Sequence, residues 1–359
     1  MNHSNIKITK TSQTSIDKVD FDDIKFGHLF SDHMFMVDYE DGAWKDPQII
    51  PTQELSLHPG NMALHYGQSI FEGMKATKDT KGNPMLFRPE MHAKRLNASA
   101  HRMCMPEIPE ALFLDGLRTL ISLDSAWIPP HPGTALYVRP FMFALDNHIG
   151  VRESHTYRFM ILTLPAGKYY PRPVGLLAFE DYIRAAVGGV GEAKAAGNYA
   201  AAMYPTKLAK EAGYDQVLWL DAIEKKYIQE VGTMNIYFVI DGTVVTPETD
   251  GAILKGITRD TILQVLKSKG IPVEERKLSI DEVVAAHENG TLEECFGSGT
   301  AAVIAQVNRI AYQGKDYNLA TEFKVATMLK ATIDGLRNGT VKDEWGWTEL
   351  LPVEAATIA

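Results

Sequence analysis

Apolar residues recur at helical spacing between positions 89 and 103, where Ala93, Leu96, Ala100 and Met103 share one side. Pro89 near N1 marks the start of that helix, because its missing N–H would be unpaired there in any case. A second helix is expected over 112–123. Two long apolar runs follow, 135–144 and 157–164, and with shorter runs at 35–44 and 85–88 they read as strands. Strands and helices mix here without a regular βαβ alternation, which points to an α+β fold.

The pattern breaks at 165–175, where P-A-G-K-Y-Y-P-R-P-V-G packs prolines and glycines between two strand-like runs. We expect an extended arm over 1–25, a smaller α/β domain over 26–165, an interdomain loop at 166–176 and a larger domain over 177–359. Within the larger domain, strands are expected at 176–179, 216–220 and 227–229, and a helix over 199–212. A hairpin over 235–245 turns at Asp241-Gly242. A helix over 258–269 ends at Gly270, and Ser279 with Glu282 forms a capping box opening the next. A last helix is expected near 323–336.

Composition narrows the function without naming it. The chain has 359 residues, 45% hydrophobic and 23% charged, as ordinary globular proteins do. Its net charge of -9 argues against a general nucleic-acid or anionic-membrane binder, which would need basic residues in excess. Cys104 and Cys295 stand far apart, so neither a disulfide framework nor a cysteine-rich metal site is expected. No apolar run approaches signal-peptide or transmembrane form, and a cytoplasmic location is expected. His65, His92 and His101 lack metal-ligand spacing with acidic partners, and no metal site is expected.

Several segments carry candidate chemistry. Gly188-Gly189-Val190-Gly191 resembles a phosphate-cradling loop, but Ala193 holds the place of the third glycine of G-x-G-x-x-G. Gly256-Ile257-Thr258-Arg259 at a helix start and Gly297-Ser298-Gly299-Thr300 at a turn combine hydroxyls with backbone donors, which suits a phosphate, though plain N-caps and tight turns look the same. Tyr137 and Arg139 lie two apart on one strand and share a face. An arginine between Tyr137 and Phe141 is either a stacked structural cation or a site for a carboxylate.

Seven segments taken in order carry a resemblance. L-H-Y-G-Q-S-I-F-E-G-M-K at 64–75, Y-V-R-P at 137–140, K-A-A-G-N-Y at 194–199, Q-V-L-W-L at 216–220, E-V-G-T-M-N at 230–235, G-I-T-R at 256–259 and F-G-S-G-T-A at 296–301 resemble branched-chain amino-acid aminotransferases. The likeness runs from about residue 26 to residue 347. It implies a two-domain α+β fold of fold-type IV with pyridoxal 5'-phosphate at the domain interface. The implied reaction is ping-pong transfer of the amino group of leucine, isoleucine or valine to 2-oxoglutarate. The implied partners are amino acids and 2-oxo acids, and the implied assembly is a homodimer.

The resemblance also assigns residues. Lys194 matches the lysine that joins the cofactor aldehyde, a role that needs an amine able to become neutral. Glu230 matches the carboxylate on the pyridine nitrogen and Tyr199 the phenol on the ring oxygen. Arg95, Ile257, Thr258 and Thr300 match the phosphate cup, and Thr233 lies near Glu230. Phe71, Tyr137, Arg139, Tyr169, Thr300 and Ala301 match the substrate pocket, where rings would receive an aliphatic chain and Arg139 the distal carboxylate of glutamate. By itself each has a plainer reading: a solvated lysine, a strand-end glutamate, a packing aromatic, a surface ion pair at Arg95.

Ala196 replaces the first glycine of the common K-x-G-G-N-Y pattern, so this position is expected not to need a positive φ. Ala302 and Ala305 stand where mammalian members carry a C-x-x-C pair, so thiol regulation of that kind is not expected. The alternatives are a D-amino-acid aminotransferase or an aminodeoxychorismate lyase of the same fold type, and more remotely a non-catalytic nucleotide-binding protein. Y-V-R-P and E-V-G-T-M-N argue against the first two.

Overall fold

A computed structural model describes residues 6–167, 170–319 and 321–352. The chain forms two compact units, one of Met1–Tyr169 with Asp334–Ala359, the other of Tyr170–Ile333. Tyr169, expected in the substrate pocket, lies outside the described residues. Among those residues, no helix is long and apolar enough to cross a membrane and no cluster of His, Cys, Asp or Glu is built to hold a metal ion.

The first unit is built on one mixed sheet. Its strands are β1 (Lys7–Ile8), β2 (His33–Glu40), β3 (Ala43–Pro51), β4 (Ser69–Phe71), β5 (Met74–Lys78), β6 (Pro84–Phe87), β7 (Ala135–Ala144), β8 (Tyr157–Ala166) and the C-terminal strand Thr348–Leu350. They lie in the order β1-β3-β2-β8-β7-β5-β6, then the C-terminal strand, with β4 also on β7. A short helix, α1 (Met62–Tyr66), precedes β4, and α2 (Pro89–Arg102) and α3 (Glu110–Leu123) follow β6.

Strand alternation sorts the side chains of β7. Val138 and Met142 join Ala93 and Leu96 of α2 and Phe113 and Leu117 of α3 in one buried cluster. Tyr137 and Phe143 belong to other clusters, so the face carrying Tyr137 and Arg139 is the one away from the helices. The run at 35–44 is not one strand. Asp41 and Gly42, both with positive φ, turn β2 into β3, and the D-G pair was the available signal.

The second unit holds a second sheet. Its strands are β9 (Val174–Phe179), β10 (Gln216–Leu220), β11 (Ile228–Val231), β12 (Asn235–Ile240), β13 (Thr243–Thr246), β14 (Val273–Glu275), β15 (Leu292–Gly299), β16 (Val303–Tyr312) and β17 (Lys315–Asn318). Their order is β11-β10-β9-β16-β15-β12-β13-β14, with β17 on β16. The helices are α4 (Ala196–Ala201), α5 (Met203–Glu211), α6 (Ile257–Ser268), α7 (Ile280–Glu288) and α8 (Lys324–Arg337), the last running on into the first unit.

The helix expected over 199–212 is two, α4 and α5, joined at Ala202, and it starts earlier, at Ala196. The capping box at Ser279 forms by one arm only. Ser279 Oγ accepts from the Glu282 N–H at 3.1 Å, but the Glu282 carboxylate is taken by Arg276. Buried Glu294 serves α8 instead, accepting from the N–H groups of Val325 and Ala326 at 2.7 and 3.0 Å, where a helix N-terminus favours negative charge.

Candidate active site

Lys194 sits in the loop just before α4, and its Nζ donates to the Tyr199 phenol oxygen at 2.7 Å. One turn of helix sets that reach, because Tyr199 lies five residues on. Asn198 Nδ2 holds the preceding loop in place by donating to the Val190 and Ala193 carbonyls at 2.8 and 2.9 Å. Ala196 is the first residue of α4 and has no positive φ, so alanine is tolerated there. The Gly188–Gly191 stretch has a packing role: a Cβ on Gly191 would collide with the Ala252 carbonyl.

Glu230 is on β11 and only 3% exposed. Its Oε1 accepts from Asn235 Nδ2 and from the Leu254 N–H, each at 3.2 Å, and its Oε2 is ion-paired with Arg184. Burial pushes the Glu230 carboxyl up from its ordinary range, while the Arg184 guanidinium pulls against that shift. Arg184, Tyr199, Glu230, Gly232, Thr233 and Leu254 line one small cavity.

The start of α6 adds backbone donors. Gly256 is its N-cap and supplies no side-chain bond to the first turn, which holds Ile257 and buried Thr258. Such a terminus accepts a phosphate through its N–H groups and dipole. A Cβ on Gly256 would collide with Asn235 Oδ1, so glycine lets this terminus approach the asparagine that also holds Glu230. Asn235 pairs with Ser298 across β12 and β15, which brings the following turn, with Thr300 and Ala301, beside this strand end. Gly299 accordingly packs against Met234, next to Thr233.

The second unit therefore collects Lys194, Tyr199, Glu230, Thr233, Ile257, Thr258, Thr300 and Ala301. Their chemistry suits pyridoxal 5'-phosphate: an amine beside a phenol, a buried carboxylate on the same cavity, and an uncapped helix start. Sequence reasoning missed two residues of this unit. Asn235 closes the E-V-G-T-M-N segment, where its residue type alone marks no role, whereas Arg184 lies in a loop with no motif to mark it.

The first unit holds the other candidates. The Arg139 guanidinium lies 4.5 Å from the Phe71 ring centroid and 5.2 Å from that of Tyr137, and its Nη2 donates to the Tyr137 hydroxyl at 2.9 Å. Register places Phe71 opposite Phe141, so rings and cation share one face. Arg95 lies on α2, where the structure shows an ion pair with buried Glu72: Nε and Nη2 donate to the two carboxylate oxygens at 2.7 and 2.8 Å. His92 Nδ1 is 2.7 Å from the same carboxylate. His92 is thus a core histidine, and the partner of Arg95 is a fully buried glutamate.

The two-sheet α+β architecture is that of the fold-type IV aminotransferases, as comparison with known proteins shows. The family described as Amino-transferase class IV matches residues 69–310. Branched-chain-amino-acid aminotransferase 2 of Bacillus subtilis is 47% identical over 354 residues, covering 97% of each chain. Among solved structures, the branched-chain amino acid aminotransferase of Escherichia coli aligns with a TM-score of 0.73 at 26% identity, over 90% of this chain and 99% of that one. The branched-chain aminotransferase of the archaeon Thermoproteus uzoniensis, solved with norvaline, shares the fold with a TM-score of 0.74 at 23% identity, over 88% and 99%. The chain belongs to the class IV aminotransferases, and among them to the branched-chain amino-acid aminotransferase family.

Proposed function

We propose that the protein catalyses reversible transfer of the amino group of L-leucine, L-isoleucine or L-valine to 2-oxoglutarate, with pyridoxal 5'-phosphate as cofactor, as a homodimer. The observation that carries this reading is the Lys194 amine bonded to Tyr199 on a helix whose phenol lines one cavity with buried Glu230, in a chain of this family. The cofactor supplies, when bound, an aldehyde for amines and a ring that accepts electron density. Lys194 would hold the aldehyde carbon and move a proton at the substrate Cα. Tyr199 orients that amine and would hold the ring oxygen, while Glu230 would hold a proton on the ring nitrogen.

Ile257, Thr258 and Thr300 would hold the phosphate through backbone N–H groups and hydroxyls, with Thr233 on the cavity wall. Arg95 is carried as a further phosphate ligand on the resemblance, with Glu72 as its protein partner. On the resemblance, Phe71, Tyr137, Tyr169, Thr300 and Ala301 are carried as substrate-pocket residues, and Arg139, stacked on the Phe71 and Tyr137 rings, would take the distal carboxylate.

Two measurements test this reading. With 2-oxoglutarate as acceptor, L-leucine, L-isoleucine and L-valine are expected to be turned over and D-alanine not; turnover of D-alanine with none of the three would overturn it. Arg139→Met is expected to raise the KM for 2-oxoglutarate roughly 10- to 100-fold, the worth of a charge-assisted hydrogen bond. The KM for L-leucine should move less than about threefold, since an aliphatic chain meets only the rings.

A further inference from the structure

Arg184 belongs to no motif, yet it makes an ion pair with the key carboxylate of the second unit. Its side chain is 9% exposed and is ion-paired with Glu230 Oε2. One terminal nitrogen, Nη2, donates to two backbone carbonyls, Gly191 at 2.9 Å and Ala252. The guanidinium is thus fixed between the loop that leads into Lys194 and the segment that leads into α6, and a planar fork gripped at several points has little freedom left to lose. Glu230 Oε1 is held from the other side by Asn235 and the Leu254 N–H.

We propose that Arg184 is a positioning residue for the reaction: it keeps the Glu230 carboxylate ionised and aimed so that the carboxylate can hold a proton on the cofactor's ring nitrogen. This rests on the functional reading above. A carboxylate out of water favours its neutral form, and a protonated Glu230 cannot serve as that acceptor. The charged groups acting on Glu230 are Arg184 and Lys194, which favour the ionised form, and Asp250, which opposes it; burial opposes it as well. Arg184 makes an ion pair with Glu230, and the Lys194 amine donates to Tyr199.

The test uses holoenzyme variants Arg184→Gln, Arg184→Lys and Glu230→Gln. Gln drops the charge and ends near the Nε position, short of the Gly191 and Ala252 carbonyls; Lys keeps the charge but drops the fork. Arg184→Gln is expected to lower kcat about 10- to 100-fold, the worth of one charge-assisted hydrogen bond, with KM changed less than about threefold. Its pH profile should lose activity on the acid side about one unit higher than the wild type, and the absorbance of the bound cofactor should titrate with the same displacement. Arg184→Lys should restore the acid side of both profiles.

In the Glu230→Gln background, which has no carboxyl to protonate, Arg184→Gln should cost less than about twofold, because the two side chains act as one unit. An unmoved pH profile and absorbance titration, or an equal loss in the Glu230→Gln background, would overturn the proposal and leave Arg184 a tether of the loop. Should Arg184→Gln not fold, Arg184→Lys in the wild-type and Glu230→Gln backgrounds decides: a kcat loss that vanishes in the Glu230→Gln background supports the proposal, and an equal loss in both overturns it. A wild-type protein without transaminase activity would instead overturn the functional reading.

Discussion

Lys194→Ala is expected to lower transamination of L-leucine with 2-oxoglutarate by at least about 10⁴-fold. The substitution removes both the amine that would hold the cofactor aldehyde and the base that would move the Cα proton, and proton transfer alone carries about 10²- to 10⁴-fold. The Nζ donates to Tyr199 at 2.7 Å, so the amine lost is the one that the phenol orients. Borohydride reduction of the wild-type holoenzyme followed by peptide mass spectrometry should place the cofactor on the peptide containing Lys194. A variant that still carries a reducible adduct there, or that retains activity, sinks the assignment. Tyr199→Phe should keep the adduct and lose activity to a lesser degree, since it removes one hydrogen bond.

Glu72→Gln is expected to be the most destabilising single change among the site residues, by about 3–5 kcal/mol. Glu72 is fully buried, holds Arg95 through two bonds and accepts from His92, so removing its charge breaks a buried ion pair at two hydrogen bonds and weakens the His92 contact. Burial alone would push this carboxyl up, but Arg95 and then His92 outweigh it and hold it well below the usual carboxylate range. The folded pKa therefore lies below the unfolded value, about 4.3. Its contribution is fully present above that pH and is lost as pH falls below it.

The Tm difference between wild type and Glu72→Gln should therefore stay constant from pH 8 to about pH 5 and narrow below about pH 4. His92 adds a separate slope. Burial lowers its pKa, so below about pH 6.5 the unfolded chain takes up a proton that the folded chain resists, and stability falls. A Tm gap independent of pH down to pH 3 would contradict the account given of Glu72.

Much of the local structure was legible because it depends on neighbours in sequence. The apolar spacing of α2 and α3, the unbroken runs of β7 and β8, and the Asp241-Gly242 turn each report a preference that a short segment has by itself. Failures occurred where two local signals competed. The run at 35–44 read as one strand because apolar residues flank Asp41-Gly42 on both sides. The Ser279 box half-formed because Arg276 offered Glu282 a stronger partner than a backbone N–H.

For the site, order along the chain named the chemistry while saying nothing of who touches whom. The run of motifs from F-E-G-M-K to F-G-S-G-T-A determined the family and nominated the amine, the carboxylate on its strand and the glycine-led helix start, because those demands fall on residue type within a few positions. Only the tertiary structure decided that Glu72 holds Arg95 and His92, that Asn235 links Glu230 to the α6 start, and that a loop arginine, Arg184, grips Glu230. Periodicity reports which face of one element a side chain occupies, whereas the partners of a buried charge are set by sheet order and crossing loops, where one ion must find another or remain unpaired.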